Sequence, residues 1–115
     1  MGLFTVGEAR DELKRLRPVL DEIVTLRADA AELGAGRPTA LGGLPEFKAV
    51  TARLDELMTE VQQSGAVLKS LAPLLVDFPA ELDGAEVDLC WLEGDAELTW
   101  YHRADLGFAG RRRLP

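Results

Sequence analysis

His102 is the one imidazole in the sequence, so any chemistry that needs a ring nitrogen near neutral pH runs through it. Its functional reading is a general base or a metal ligand, with Asp77, Glu81 or Asp105 as the partner carboxylate. Its bland reading is a histidine on the apolar face of a strand, hydrogen-bonded at the edge of the core. The bland reading has the greater weight, because no second histidine or neighbouring cysteine completes a ligand set. Cys90 is the one thiol. As a nucleophile it would need His102 beside it, and the strand register read from the pattern puts the two on opposite faces. An inert buried thiol is the expectation. Asp77 stands before Phe78 and Pro79, where it is either a catalytic carboxylate or, more commonly, the cap of a turn. Gly107-Phe108-Ala109-Gly110-Arg111 offers two glycines and a cation, a pattern that can cradle an anion in backbone amides. The competing and favoured reading has Phe108 folded back on the protein and Arg111, Arg112 and Arg113 as a solvated tail. The catalytic candidates are thus His102 and Asp77, and the ligand-binding candidates Gly107, Gly110 and Arg111. No metal site and no cofactor is assigned.

These residues need elements to hold them. Thr5-Val6-Gly7-Glu8 is a capping box that opens a helix, and Leu13, Leu16, Leu20, Ile23 and Ala30 follow as one apolar stripe. Pro18 interrupts the hydrogen bonding without ending the stripe, so a kink is expected there. The helix closes near Leu33-Gly34. Gly34 to Gly43 reads as a flexible linker; as a phosphate loop it lacks the following Gly-Lys-Ser/Thr and a preceding strand. Pro45 opens a second helix carrying Phe47, Val50, Leu54, Leu57 and Val61, closed by Ser64-Gly65. Two such helices form an antiparallel hairpin.

Beyond Gly65 the period shortens. Ala66 to Leu71, Leu74 to Phe78, Val87 to Trp91 and Glu97 to His102 read as strands, separated by Pro73, Pro79, Asp83-Gly84 and Gly94-Asp95. A tight turn at Gly94-Asp95 sets Trp91 opposite Leu98, Leu89 opposite Trp100 and Val87 opposite His102. One face then holds Val87, Leu89, Trp91, Leu98, Trp100 and His102; the other holds Asp88, Cys90, Leu92, Glu97, Thr99 and Tyr101. The fold class is α+β, a long antiparallel helical hairpin followed by a small antiparallel β-sheet. The organisation is a single domain: residues 1–65 the helical hairpin, 66–105 the β-hairpins, 106–115 a Gly/Arg tail.

Composition narrows the class. A chain of 115 residues, 47% hydrophobic and 29% charged, is long enough for an ordinary core. Thirteen basic against 20 acidic side chains leave a net charge of -7, which repels nucleic acid and anionic membranes. A single cysteine forms no internal disulfide, and no apolar run approaches a membrane span, so the expected compartment is the cytoplasm.

Several short stretches also match a known pattern. They are Phe4-Thr5 with Glu8-Ala9, Leu16-Arg17-Pro18 with Leu20, Leu75-Val76-Asp77-Phe78-Pro79, Leu89-Cys90-Trp91, His102, and Gly107-Phe108-Ala109-Gly110-Arg111. In this order and spacing they resemble the domain of unknown function 2203 family of uncharacterised bacterial proteins. The resemblance spans nearly the whole chain and implies no established activity. It implies a His-Trp-His pattern where this chain has Trp100-Tyr101-His102, so a His-x-His metal pair is broken here.

The reading that results is a non-catalytic assembly or binding module that self-associates through its helices. The alternative is a small-ligand or metal-dependent activity centred on His102, with Asp77 and Arg111 as helpers. A homodimer is expected, because a second apolar flank of Val19, Val24, Leu26 and Met58 lies outside the main stripes. No other partner is identified. If His102 faced Trp100 and Leu89 with no carboxylate near, burial would keep its ring neutral in the native state.

Overall fold

The computed structural model describes residues 2–34 and 44–115. Two helices precede a five-stranded antiparallel sheet, which makes the fold α+β. Helix α1 spans Val6–Gly34 and α2 spans Leu44–Gln63. Strands β1 to β5 are Val67–Leu71, Leu74–Leu82, Ala85–Leu92, Trp100–Arg103 and Arg112–Arg113, paired in chain order. The linker expected from Gly34 to Gly43 falls, from residue 35 on, outside the described residues. By its contacts the chain divides into two compact units, one of Met1–Leu16 with Val61–Pro115 and the other of Arg17–Glu60. The division cuts both helices instead of falling between helix and sheet.

In the helical unit α1 and α2 run antiparallel. Gly34 lies beside Phe47, and further along the same two helices Glu22 lies beside Arg53. Leu20, Ile23, Leu54 and Leu57 are buried here, as the stripes require. Pro18 sits within an unbroken helical assignment. The flank Val19, Val24, Leu26 and Met58 is half-buried.

In the sheet unit α1 begins as the sequence dictates. The Thr5 amide donates to Glu8 Oε1 at 2.9 Å and the Glu8 amide to Thr5 Oγ1 at 3.1 Å, the two halves of a capping box. At the other helix, Gly65 takes φ 97°, a left-handed conformation that stops α2. Phe78 pairs with Leu89, Val76 with Trp91 and Ala80 with Val87 across β2 and β3, and all six are buried. This apolar face, with Ala9, Leu13, Leu16 and Val61, supplies the core of the unit. Phe4 stands edge-on to Phe78, with ring centroids 5.6 Å apart.

Three expectations change. First, Pro79 does not end a strand: β2 continues through it to Leu82. The Phe4 amide donates to the Pro79 carbonyl, so the proline nitrogen faces that same edge, beyond the last β1 pair at Val67 and Asp77. No ladder donor is needed there, and proline is tolerated. Second, Arg112 and Arg113 are not a free tail. They form β5, with Trp100 opposite Arg113 and Tyr101 opposite Arg112.

Third, the β3–β4 register differs by one residue from the expected one. Val87 pairs with Arg103, Asp88 with His102, Leu89 with Tyr101 and Cys90 with Trp100. The connection is no two-residue hairpin: the Asp95 carboxylate accepts from the Leu92 amide at 3.0 Å, and the Trp91 indole donates to the Asp95 carbonyl at 2.9 Å. Regular pairing resumes only at Trp100, after a loop long enough to absorb the slip. His102 therefore shares a face with Asp88 and Cys90, and Trp100 with Cys90.

Candidate functional site

The corrected register assembles the site. Asp77 on β2 pairs with Cys90 on β3, and Asp88 on β3 pairs with His102 on β4. Their side chains therefore leave the sheet on the face opposite Val76, Phe78 and Leu89. On β1 the register shifts between Leu68 and Ser70, so Lys69 and Ser70 together oppose Leu75. That bulge sets Lys69 at the rim of the same face. From the other side the chain after β4 closes over, with Gly107 at φ 68° and a short turn of 3-10 helix at Phe108–Gly110. The φ of Gly107 is one that a side chain would strain. The result is a cleft of about 260 Å³ lined by Lys69, Leu75, Asp77, Asp88, His102, Ala104, Gly107 and Phe108.

At its floor His102 and Asp77 are buried, 4% and 2% exposed. His102 Nδ1 lies 3.0 Å from the Arg103 carbonyl. A carbonyl can only accept, so Nδ1 carries the proton and donates. The other nitrogen, Nε2, faces Asp77 Oδ2 at 3.2 Å. With Nδ1 protonated, this contact is attractive only when a positive centre lies between nitrogen and oxygen or on one of them. Asp88 Oδ2 stands 4.0 Å from Nδ1. Asp77 Oδ1 is buried and has no hydrogen-bond partner. Burial pushes the Asp77 carboxyl above its ordinary range and Asp88 adds to this, while His102 and Lys69 oppose it. Cys90, beneath, is wholly buried; that burial and the neighbouring Asp77 push its thiol from 9.0 to about 12, against a weaker pull from Arg111. It is a thiol at neutral pH, not a nucleophile.

Of the residues singled out in the sequence, His102 and Asp77 meet in the cleft and Gly107 lines its rim. Gly110 and Arg111 do not line it. The Arg111 guanidinium lies over the rings of Trp100 and Phe108, 4.4 and 4.7 Å from their centroids, and so props the wall that Phe108 presents. Glu81 and Asp105 are exposed and outside the cleft; Asp105 pairs with Arg103 at 3.0 Å. Asp77 caps no turn: it sits mid-strand and faces the imidazole. The carboxylate-free setting considered for His102 is likewise absent. Cys90, placed across the sheet from His102 by the expected register, lies on the same face. Asp88 was missed for that reason, since the slipped register turned it to the opposite side. Its signal was in the sequence: a charged residue set between Val87 and Leu89, two positions from Cys90.

A larger depression of about 490 Å³ in the same unit is lined by residues that include Phe4, Glu8, Glu12, Arg15 and Gly65. Glu8, Glu12 and Arg15 among its charged groups are engaged. Glu8 belongs to the capping box, and Glu12 is held below its usual range by the Arg15 guanidinium. Only the smaller cleft pairs openness with a buried, unsatisfied polar atom among these two.

Among the described residues no helix is long and apolar enough to cross a membrane. A family model described as "Uncharacterized conserved protein (DUF2203)" matches residues 2–114. No curated protein and no solved structure matches the chain.

Proposed function

Because the chain belongs to the family of uncharacterized conserved proteins (DUF2203), whose description names no activity, its own cleft must supply the functional reading, and we propose that it is a non-catalytic binding module for a small ligand. The observation that carries this reading is Asp77 Oδ1, a buried carboxylate oxygen with no partner at the floor of an open cleft. An unsatisfied buried polar atom costs about 1–3 kcal/mol, more for a charged group. A fold tolerates such a loss where a ligand removes it. The remaining polar groups fit binding better than turnover. His102 is held at both nitrogens, Cys90 is protonated, and no activated nucleophile stands at the cleft.

The test is an NMR titration of the whole chain with three probes: Zn²⁺, inorganic phosphate and methylammonium. Shifts centred on Asp77, Asp88, His102 and Gly107 with at least one probe are the expected result. If all three leave those resonances still, the binding reading falls.

Self-association is a second reading, carried by the helical unit. Val19, Val24, Leu26 and Met58 keep part of their apolar surface accessible. Light scattering at micromolar concentration tests it directly; a mass that stays at 12.5 kDa on concentration rules it out.

A further inference from the structure

We infer that the occupant of the cleft is a divalent transition-metal cation of the Zn²⁺ class, held by His102 Nε2 and the carboxylates of Asp77 and Asp88. This inference rests on the binding reading and names its ligand. Three adjacent strands each deliver one donor, and the donor atoms of Asp77, Asp88 and His102 lie within 4.8 Å of one another.

The imidazole is already set for the task. Its Nδ1 proton is spent on the Arg103 carbonyl, which fixes the ring and leaves the Nε2 lone pair aimed at Asp77. A backbone carbonyl on the far nitrogen is the usual support for a metal-bound histidine. The 3.2 Å between Nε2 and Oδ2 also suits a shared metal. Two ligands each about 2.0–2.1 Å from a tetrahedral Zn²⁺ are separated by roughly 3.3–3.4 Å. A proton between Nε2 and Oδ2 would account for that one contact. It would leave Asp77 Oδ1 unsatisfied and two carboxylates close together with little positive charge between them. A divalent cation accounts for the contact and, with a charge equal to that of the two carboxylates, for their closeness; it satisfies Oδ1 as well when Asp77 binds through both oxygens.

The donor set selects within the divalent ions. Mg²⁺ and Ca²⁺ prefer oxygen ligands alone, and Cu⁺ prefers sulfur. One imidazole with two carboxylates suits Zn²⁺, or Mn²⁺ and Fe²⁺ with added water. Cys90 is not among the donors that converge here. Three protein ligands leave at least one position open towards Leu75, Ala104 and Phe108, where water or a small anion completes the sphere. Asp88 is the adjustable ligand: its side chain is 19% exposed, and its Oδ2, which stands 4.0 Å from Nδ1, must turn towards Nε2 to close the set.

Calorimetry of the whole chain with ZnCl₂, run beside MgCl₂ and CaCl₂, reads the prediction. One Zn²⁺ per chain is expected, with little or no response to Mg²⁺ and Ca²⁺. Asp88→Asn, at a position one-fifth exposed, should fold normally and weaken Zn²⁺ by roughly tenfold or more. Asp77→Asn should weaken it further. Co²⁺ should give the visible absorption of a low-coordinate site, and that spectrum should change in Asp88→Asn. Zn²⁺ binding of equal strength in both variants would overturn the assignment, as would no binding at millimolar Zn²⁺ to the folded chain. If methylammonium moves the cleft resonances while Zn²⁺ does not, the metal falls and the binding module stands. If neither they nor phosphate reach the cleft, both fall.

Discussion

The two units of this chain treat charge in opposite ways. In the helical unit Arg53 donates from Nε and Nη2 to the two oxygens of Glu22 at 2.8 and 3.0 Å, and from Nη1 to Glu56 at 3.1 Å. The pair holds the Glu22 carboxyl below its usual range, and every group in it is at the surface. In the sheet unit Asp77 and His102 are buried, and one oxygen of Asp77 is left with nothing to accept. The lesson is that paired charge need not be functional and buried charge need not be stabilising. The first kind ties α1 to α2 at little cost; the second is a local loss that a fold keeps for another reason.

Four measurements sharpen or break this contrast. The largest effect concerns Cys90. With its thiol pushed from 9.0 to about 12, the thiolate fraction at pH 8 falls roughly a thousandfold below that of the unfolded chain. Reaction with a chromogenic disulfide should therefore be very slow in the native protein and fast in denaturant. Rapid native labelling would show that the face is not sealed.

Asp77→Asn comes next. Metal-free, in chelator, the wild-type carboxyl has a folded pKa above its unfolded value of about 3.8. Its protonated form is the one folding favours, so its contribution is whole below pH 3.8 and is lost as pH rises through the folded pKa. The variant lacks this term. Denaturant melts should then show Asp77→Asn gaining on the wild type from about pH 4 upwards. Glu12 and Glu22, with lowered values, act in the opposite sense in both proteins and cancel in the comparison. A variant that loses ground as pH rises would mean that ionised Asp77 stabilises the fold.

Thr5→Ala removes half of the capping box and should lower stability by about 1 kcal/mol at any pH between 5 and 8. The smallest effect belongs to Arg53→Ala. An exposed ion pair contributes little, so the melting temperature should hardly move, and less still in high salt. A large loss there would erase the distinction between the units.

What the sequence made legible follows the reach of each signal. The capping box, the stripe from Leu13 to Ile23 and the close of α2 at Gly65 depend on neighbours within a turn or two, and the structure shows each. The β2–β3 turn is equally local: Asp83 and Gly84 take φ 51° and 80°, the left-handed pair that a tight hairpin requires. The β3–β4 register is not local. Alternation selects a register when one face is wet, yet here Cys90 and His102 on one face are as buried as Leu89 on the other. Both pairings satisfy the pattern, and the wrong one separates Asp88 from His102. The site was half visible in consequence: its histidine and one aspartate stood out as residue types, whereas the second aspartate depended on a register that alternation left open. The role of Arg111 was hidden for a similar reason, because stacking on Trp100 requires knowing that the chain folds back along β4.

That return has a consequence for how these molecules treat one another. A sheet with bare outer strands offers rows of free amides and carbonyls to any other extended chain, the first step of aggregation. Here one border is β5, two exposed arginines along Trp100 and Tyr101. The other is β1, irregular at an exposed lysine and turned at Pro73. Cation against cation repels a second copy at one border, and uneven pairing frustrates it at the other. Of these border residues Lys69 also stands at the rim of the cleft, so one side chain serves both the site and the protection of the sheet.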